Sequence, residues 1–437
     1  MQKLASAIWY RIIITICFVT TALTIFSQNS PPSIKNLVIK RDSISKKLEI
    51  FFEINDREND EAYIKLNLFA NGKKVPADQY LGAIDTLTHV INGFNTISFS
   101  YAGLPSKKYE IQIVASDLNK PKIQDVIQMV DSTMLDSILM TVQGDRNIPA
   151  HSKDVKALIK STFLTNNLTL EVQQFNAAKK IGENIIGHLF GAGHTDTTYL
   201  ICAHFDSVKG SPGADDNASG ITGMLELARI LSKFRFRHSI QFVAFDMEED
   251  GSIGSKNYVE KIHAKKINIA GVINLDMIGR YSDDANSQFV PEEIQTLFPG
   301  VFEILSIDSN RANFVLDISN VASRSLAETF LQAANSYVPD LKVVTIIASD
   351  SALKAMPDLA SSDHARFWEA GFKSLHIGEG GPTRNTEYHS SGDTFDKINF
   401  QFIAKITKAL LASIMLLAQA QDFITASATL DLTTLNK

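Results

Sequence analysis

Between residues 47 and 117 apolar and polar positions alternate. "LEIFFEI", "YIKLNLFA", "TISFSYA" and "YEIQIVASD" are short runs rich in β-branched and aromatic residues, and turn formers such as Asn71-Gly72 divide them. A two-residue period predicts strands with one buried face, and the regular spacing predicts a small all-β sandwich over residues 31–128. Its last runs, "SYAGLPSKKYEIQIVASD", are similar in pattern to the closing strands of immunoglobulin or fibronectin type III modules. No residue of that stretch points to chemistry, so it reads as an accessory domain.

After a connecting segment near 129–148 the period changes. "TTYLICAHFDSV" reads as a buried strand that runs into a loop. Ala218, Ile221, Met224, Leu225, Ala228 and Leu231 then mark one face of a helix at spacings of three and four. "SIQFVAFD", "AGVINLDMIG" and "FKSLHIG" are further strands, and Phe400 to Gln421 is a long apolar-faced helix. Strands alternating with helices predict an α/β domain over 140–425, with a mixed, mostly parallel sheet flanked by helices. Residues 281–320 carry no clear period and read as loops or an insertion, and "FRFRH" at 234–238 reads as a solvated helix end.

A chain of 437 residues exceeds the size at which one core usually stops growing, which agrees with two domains. Its 45% hydrophobic and 21% charged residues exclude a disordered chain. The first 27 residues stand apart, because Lys3 and Arg11 precede an apolar run from Ile12 to Phe26 that gives way to Gln28 and Asn29. That run is shorter than the roughly 20 residues a bilayer span needs and fits a signal peptide cleaved near Ser27. The expectation is a protein exported to the periplasm or medium, with no stable membrane span once the leader is gone; an uncleaved leader would leave it membrane-associated. Cys17 would leave with the leader, so Cys202 would stand alone and no intrachain disulfide would form. The net charge of −6 contains no basic run, which argues against nucleic acid as a partner.

In open α/β sheets ligands bind beyond the carboxyl ends of the strands. Here those ends carry His204 and Asp206, Glu248 and Glu249, Asp276, and, in the loop after the last strand, His389. Asp215 and Asp216 lie where the first of these loops enters its helix. Taken singly, a strand-end Asp is more often a cap and a loop His a surface residue. Taken together, two imidazoles and several carboxylates are the nitrogen and oxygen donors that suit a pair of divalent ions such as zinc.

"AHFDSV", "GADDNASG", "MEEDGSIGSKNYV", "LDMIGR", "SSDHARFWEAG" and "YHSSGDTFDKIN" follow one another in the order and spacing of the secreted dizinc aminopeptidases of peptidase clan MH, which the chain resembles over roughly 140–425. The resemblance implies two zinc ions per chain and peptide substrates cut at the N-terminal bond. His204 and Asp276 would hold one ion, Glu249 and His389 the other, and Asp216 would bridge them. It also implies a cis peptide bond between Asp216 and Asn217. Glu248 would be the general base. Tyr388 would donate to the developing oxyanion, with simple packing beside the loop as its plainer role. Asp206, on the same side of its strand as His204, would orient that imidazole. Asp363 and His364 would support the site without ligating, and His376 would be a core histidine. Segments within 281–320 and 345–362 would form the pocket beside the metals. Other functions stay open on the same fold: a glutaminyl cyclase, which usually has an acidic residue where Ser362 stands, a binding protein that has lost its metal, and a carboxypeptidase or dipeptidase of the same clan.

Overall fold

The computed structural model describes residues 32–432 except 43–44, 57–61, 72, 76–87, 117–120, 178–179, 192–195 and 422. The expected leader, 1–27, lies outside the described residues. Two compact units make up the chain, Met1–Asn119 with Ala426–Lys437, and Lys120–Thr425.

The first unit is built of β1 (Ser33–Asp42), β2 (Lys47–Asn55), β3 (Ala62–Ala70), β4 (Lys73–Lys74), β5 (Thr88–Val90), β6 (Gly93–Ser100) and β7 (Lys108–Ser116). One sheet runs β1-β2-β6, and the other holds β7, β3 and β4, with β5 also paired to β3. The alternation decides which face turns inward. Leu48, Ile50, Phe52 and Ile54 are buried on β2 and Tyr109, Ile111, Ile113 and Ala115 on β7, while Glu49 and Glu110 point outward or sit half-buried. The Tyr109 hydroxyl donates to the Pro105 carbonyl at 2.9 Å, a corner of the kind immunoglobulin-like sandwiches use.

The second unit contains β8 (Thr169–Ala177), β9 (Lys180–Leu189), β10 (Thr197–His204), β11 (Arg235–Phe236), β12 (Ser239–Phe245), β13 (Asn268–Leu275), β14 (Phe314–Asn320), β15 (Lys342–Ala348), β16 (Ser374–Gly378) and β17 (Ala420–Gln421). Eight of them form one sheet in the order β15-β14-β16-β13-β10-β12-β9-β8. Its middle, β16-β13-β10-β12, is parallel, and so is β14-β15. The pairs β14-β16, β9-β12 and β8-β9 are antiparallel, so the sheet is mixed with a parallel heart. Helix Gly220–Leu231 follows β10 and presents Ile221, Met224, Leu225 and Ala228 to the core. Helix Phe400–Leu417 is 18 residues long and apolar enough to cross a membrane by composition alone. Here Ile403, Ile406, Leu410 and Leu411 are instead packed with the helices at 132–142 and 220–231 in one core.

Four segments differ from their sequence reading. The connecting segment holds helix Ser132–Val142, whose Leu135, Ile138, Leu139 and Val142 join the core of the second unit. The boundary therefore falls near residue 120 and not between 128 and 140. Further on, β18 (Phe423–Asp431) pairs with β7 in the five-stranded sheet, so residues from Ala426 belong to the first unit. Residues 281–320 are not loop alone: they include helices Glu292–Leu297 and Pro299–Ile307 and the strand β14. "FRFRH" is no helix end, because Arg235–Phe236 pair with Ala420–Gln421 and Phe234 and Phe236 are buried.

Candidate metal centre

Because β10, β12, β13 and β16 run parallel side by side, their carboxyl ends emerge on one edge of the sheet. His204 is the last residue of β10, Asp276 directly follows β13, and Glu248 and Glu249 lie three and four residues past the end of β12. The chain after β10 loops out to Gly213 and returns through Ala214–Ser219 to the helix at 220, bringing Asp216 back over His204. The Asp216-Asn217 peptide is cis, the geometry the resemblance implies.

The side chains converge in two groups that share one member. His204 Nε2 lies 3.3 Å from Asp216 Oδ1 and 3.5 Å from Asp276 Oδ1. His389 Nε2 lies 3.2 Å from Asp216 Oδ2 and 3.1 Å from Glu249 Oε2. Each oxygen of Asp216 thus faces a different imidazole. Donor atoms of His204, Asp216 and Glu249 also lie within 4.8 Å of one another, so the two groups form one centre. Charge-assisted hydrogen bonds between nitrogen and carboxylate are usually about 2.7–2.9 Å long. Two donors bonded tetrahedrally to zinc at about 2.0–2.1 Å are about 3.3–3.4 Å apart. The spacings here match the edges of such tetrahedra better than they match direct hydrogen bonds, and the donor set fits a pair of zinc ions.

Electrostatics point the same way. Burial works against a charged His204, yet Asp276 and then Asp206 and Asp216 outweigh it and hold its pKa well above the ordinary value. Burial likewise pushes Asp216 up, and the two imidazoles more than reverse it, so this carboxyl is held below the usual range. Glu249, half-buried and beside Asp216, is pushed up to about 8, by desolvation first and then by the Asp216 charge. A centre in which carboxylates crowd one another and imidazoles are driven to hold protons is short of positive charge, and divalent cations supply it.

The surrounding residues fix these donors. Asp206 Oδ1 and Oδ2 accept the backbone N–H groups of Glu248 and Glu249, each at 3.0 Å, and Oδ1 lies 3.3 Å from His204 Nδ1. One carboxylate thereby links the orientation of an imidazole to the position of the Glu pair. Ser362 donates to Asp276 Oδ2 at 2.5 Å and receives from Asn274 Nδ2 at 2.9 Å, which turns Asp276 Oδ1 toward His204. Asp215 faces away, accepting Gly279 N–H at 2.8 Å and Asn385 Nδ2 at 3.1 Å. Glu248 stands beside the centre without facing either imidazole group; its Oε1 accepts from the Ser252 hydroxyl at 3.2 Å, and burial raises its pKa well above the ordinary value. The Tyr388 ring stacks on His389 with centroids 3.6 Å apart.

Sequence reasoning missed two residues of this network. Asp393 accepts the N–H groups of Asp215 and Asp216, pinning the turn that carries Asp216. Its position in "SSGDTFD", four residues after His389, was the available signal. Arg146 donates to the carbonyls of Asp206 and Asp216 from the segment read as a connection. Asp363 and His364 are buried beside the centre, and Asp363 is pushed up to about 7, chiefly by burial. His376 is not a satisfied core residue: it is partly exposed, its Nδ1 has no hydrogen-bond partner among the described residues and it lines the cavity described next.

A cavity of about 360 Å³ begins at His204, Asp216, Glu248, Asp276 and Tyr388 and runs under the outer strands of the sheet. Away from these donors most of its lining side chains are apolar, beside the polar Gln288, Asp358, Glu379 and Thr383. Phe314, Leu316 and Ile318 come from β14, Val344 and Ile346 from β15, and Val301 and Leu305 from helix Pro299–Ile307.

The chain is 31% identical over 237 residues to aminopeptidase YwaD of Bacillus subtilis, a match spanning 53% of this chain and 43% of the relative. It is 29% identical over 223 residues to an uncharacterized Escherichia coli protein, YfbL, spanning 48% of this chain and 64% of that one. The chain thus covers less than two thirds of the length of either. Among solved structures, LapB of Legionella pneumophila superposes with a TM-score of 0.53 at 22% identity, over 68% of this chain and 75% of that one, and so shares the fold. The model of peptidase family M28 matches residues 184–414, just over half of the sequence. Since that stretch contains every donor of the paired centre and the glutamate beside it, the chain belongs to peptidase family M28.

Proposed function

We propose that this protein is an exported, two-zinc aminopeptidase that hydrolyses the first peptide bond of substrates with a free N-terminus and a bulky apolar first residue. The observation that carries the reading is Asp216, whose two carboxylate oxygens face His204 and His389 separately. Relatives named as an aminopeptidase and as probable zinc metalloproteases support the metal and the reaction class. Export rests on the leader-like segment at residues 1–27.

In this reading His204 and Asp276 would hold one zinc, Glu249 and His389 would hold the other, and Asp216 would serve both. When bound, the pair supplies an acidified water and polarises the scissile carbonyl. The remaining work falls to the chain itself. Glu248 takes the proton of the attacking water and delivers it to the leaving amine, and its burial suits it to both steps by raising its proton affinity. Tyr388 reaches the same end of the cavity and donates to the oxyanion as the carbonyl carbon becomes tetrahedral. Asp206 keeps the Nε2 of His204 turned inward by holding its Nδ1 side. Ser362→Ala removes the hydrogen bond on Asp276, and zinc affinity measured by competition with a chelating dye is expected to fall about 10–100-fold. An unchanged affinity would leave Ser362 with no part in ordering Asp276.

The apolar walls of the cavity argue for the substrate preference. Burying a Leu or Phe side chain contributes about 1.5–3 kcal/mol, roughly ten- to a hundredfold in kcat/KM over Ala. The test is a panel of aminoacyl anilides with and without a chelator. Leu and Phe derivatives are expected to exceed Ala, Arg and Glu, N-acetyl-Leu anilide to resist cleavage, and Leu316→Trp, which fills the cavity, to shift preference toward Ala. Release of the arylamine from the N-acetyl-Leu anilide, or cyclisation of N-terminal Gln without hydrolysis, would rule the aminopeptidase reading out.

A further inference from the structure

Arg146 lies in the turn between helices Ser132–Val142 and Pro149–Thr165, and it is 5% exposed. A buried guanidinium normally finds a carboxylate. This one donates to backbone carbonyls. Nη1 reaches Gly144, Pro212 and Gly213 at 3.2, 2.8 and 3.0 Å. Nη2 reaches Asp206 and Asp216 at 3.1 and 2.9 Å, and Nε reaches Asp206 at 3.3 Å. Apart from Gly144, the acceptors lie at the two ends of the loop that separates His204 from Asp216. Neighbours of Arg146 hold the same loop: Asn147 Nδ2 donates to Ser207 O at 2.7 Å, the Arg146 N–H donates to Ser207 Oγ at 3.1 Å, and Asp145 Oδ2 accepts Gly210 N–H at 2.9 Å. Gly213, with φ of +54°, leaves room for it, since a Cβ there would come within 2.5 Å of Arg146 Nη2.

We propose that Arg146 is a positioning residue for the metal centre: its rigid fork fixes the distance between the Asp206 and Asp216 backbones, and so holds the bridging carboxylate opposite His204 and His389 before any ion binds. This rests on the two-zinc reading of the same site. The guanidinium reaches Asp206 and Asp216 only at their backbone carbonyls and bonds no donor side chain, so it acts on the centre through the backbone. Its charge also faces the carboxylates of Asp216, Asp206, Glu249 and Asp393, which would otherwise repel one another and spread the loop. A lysine keeps the charge but offers three donors at a single point and cannot span the same acceptors.

The test measures zinc affinity by dye competition, together with stability in urea, for full-length wild type, Arg146→Lys and Phe163→Leu. Phe163 is a core residue with no bond to the loop, and its variant controls for lost stability. Arg146→Lys is expected to bind zinc at least tenfold more weakly per folded molecule, with activity partly restored by excess zinc. Phe163→Leu should keep wild-type affinity. If Arg146→Lys does not fold, Ser207→Ala takes its place and should weaken zinc severalfold. Wild-type affinity in whichever of the two folds, or an equal loss in Phe163→Leu, overturns the proposal. A wild-type protein that does not bind two ions instead overturns the metal reading beneath it.

Discussion

Glu248→Gln is expected to keep its full complement of zinc and to lose about 10²–10⁴-fold in kcat, the range a positioned general base contributes. The substitution keeps shape and leaves an oxygen to accept the Ser252 hydroxyl, so the local structure has no reason to change. It removes the proton acceptor alone. Glu248 is absent from both groups of facing donors, whereas its neighbour Glu249 lies 3.1 Å from His389, which is why metal content and turnover should separate here. Metal analysis and kcat on the same preparation check it. Activity within tenfold of wild type would take the proton-transfer role away from Glu248.

A larger loss is expected at Asp216. Asp216→Asn replaces one of two oxygens by an NH₂ group that cannot donate a lone pair, and removes the charge that two cations would share. Loss of an outer hydrogen-bond partner typically costs about 10–100-fold in metal affinity, and loss of a shared ligand should exceed that at both positions together. After dialysis the variant should therefore retain neither ion stably, and activity should fall to background. A variant that keeps one tightly held ion would mean that Asp216 belongs to a single site and that the centre is not shared.

Much of this was legible in the chain. The strands β10, β12 and β13 are apolar runs that stop at a polar side chain, and the stops themselves carry His204, the Glu248–Glu249 pair and Asp276. The insertion was not legible, for a physical reason: its helices have six and nine residues, fewer than three turns, and β14 interrupts its apolar pattern with the buried Asp317. The apolar part of the cavity depends on that insertion, so it could not be read before β14 and β15 were seen side by side. Arg146 was hidden differently. Its acceptors are carbonyls that any sequence provides, and only the folded path of residues 206–216 brings them together. The unit boundary escaped notice because an amphipathic helix of 11 residues beside a domain edge resembles a linker until its apolar face is seen packed.

The most direct test of the account is a count of zinc ions in the metal-reconstituted protein and in His204→Ala and His389→Ala. Two ions per chain in the wild type and a loss of tightly bound zinc in each variant, with turnover abolished in both, is the predicted result. A wild-type chain that saturates at one ion, or a His389→Ala protein that still holds two, would contradict it.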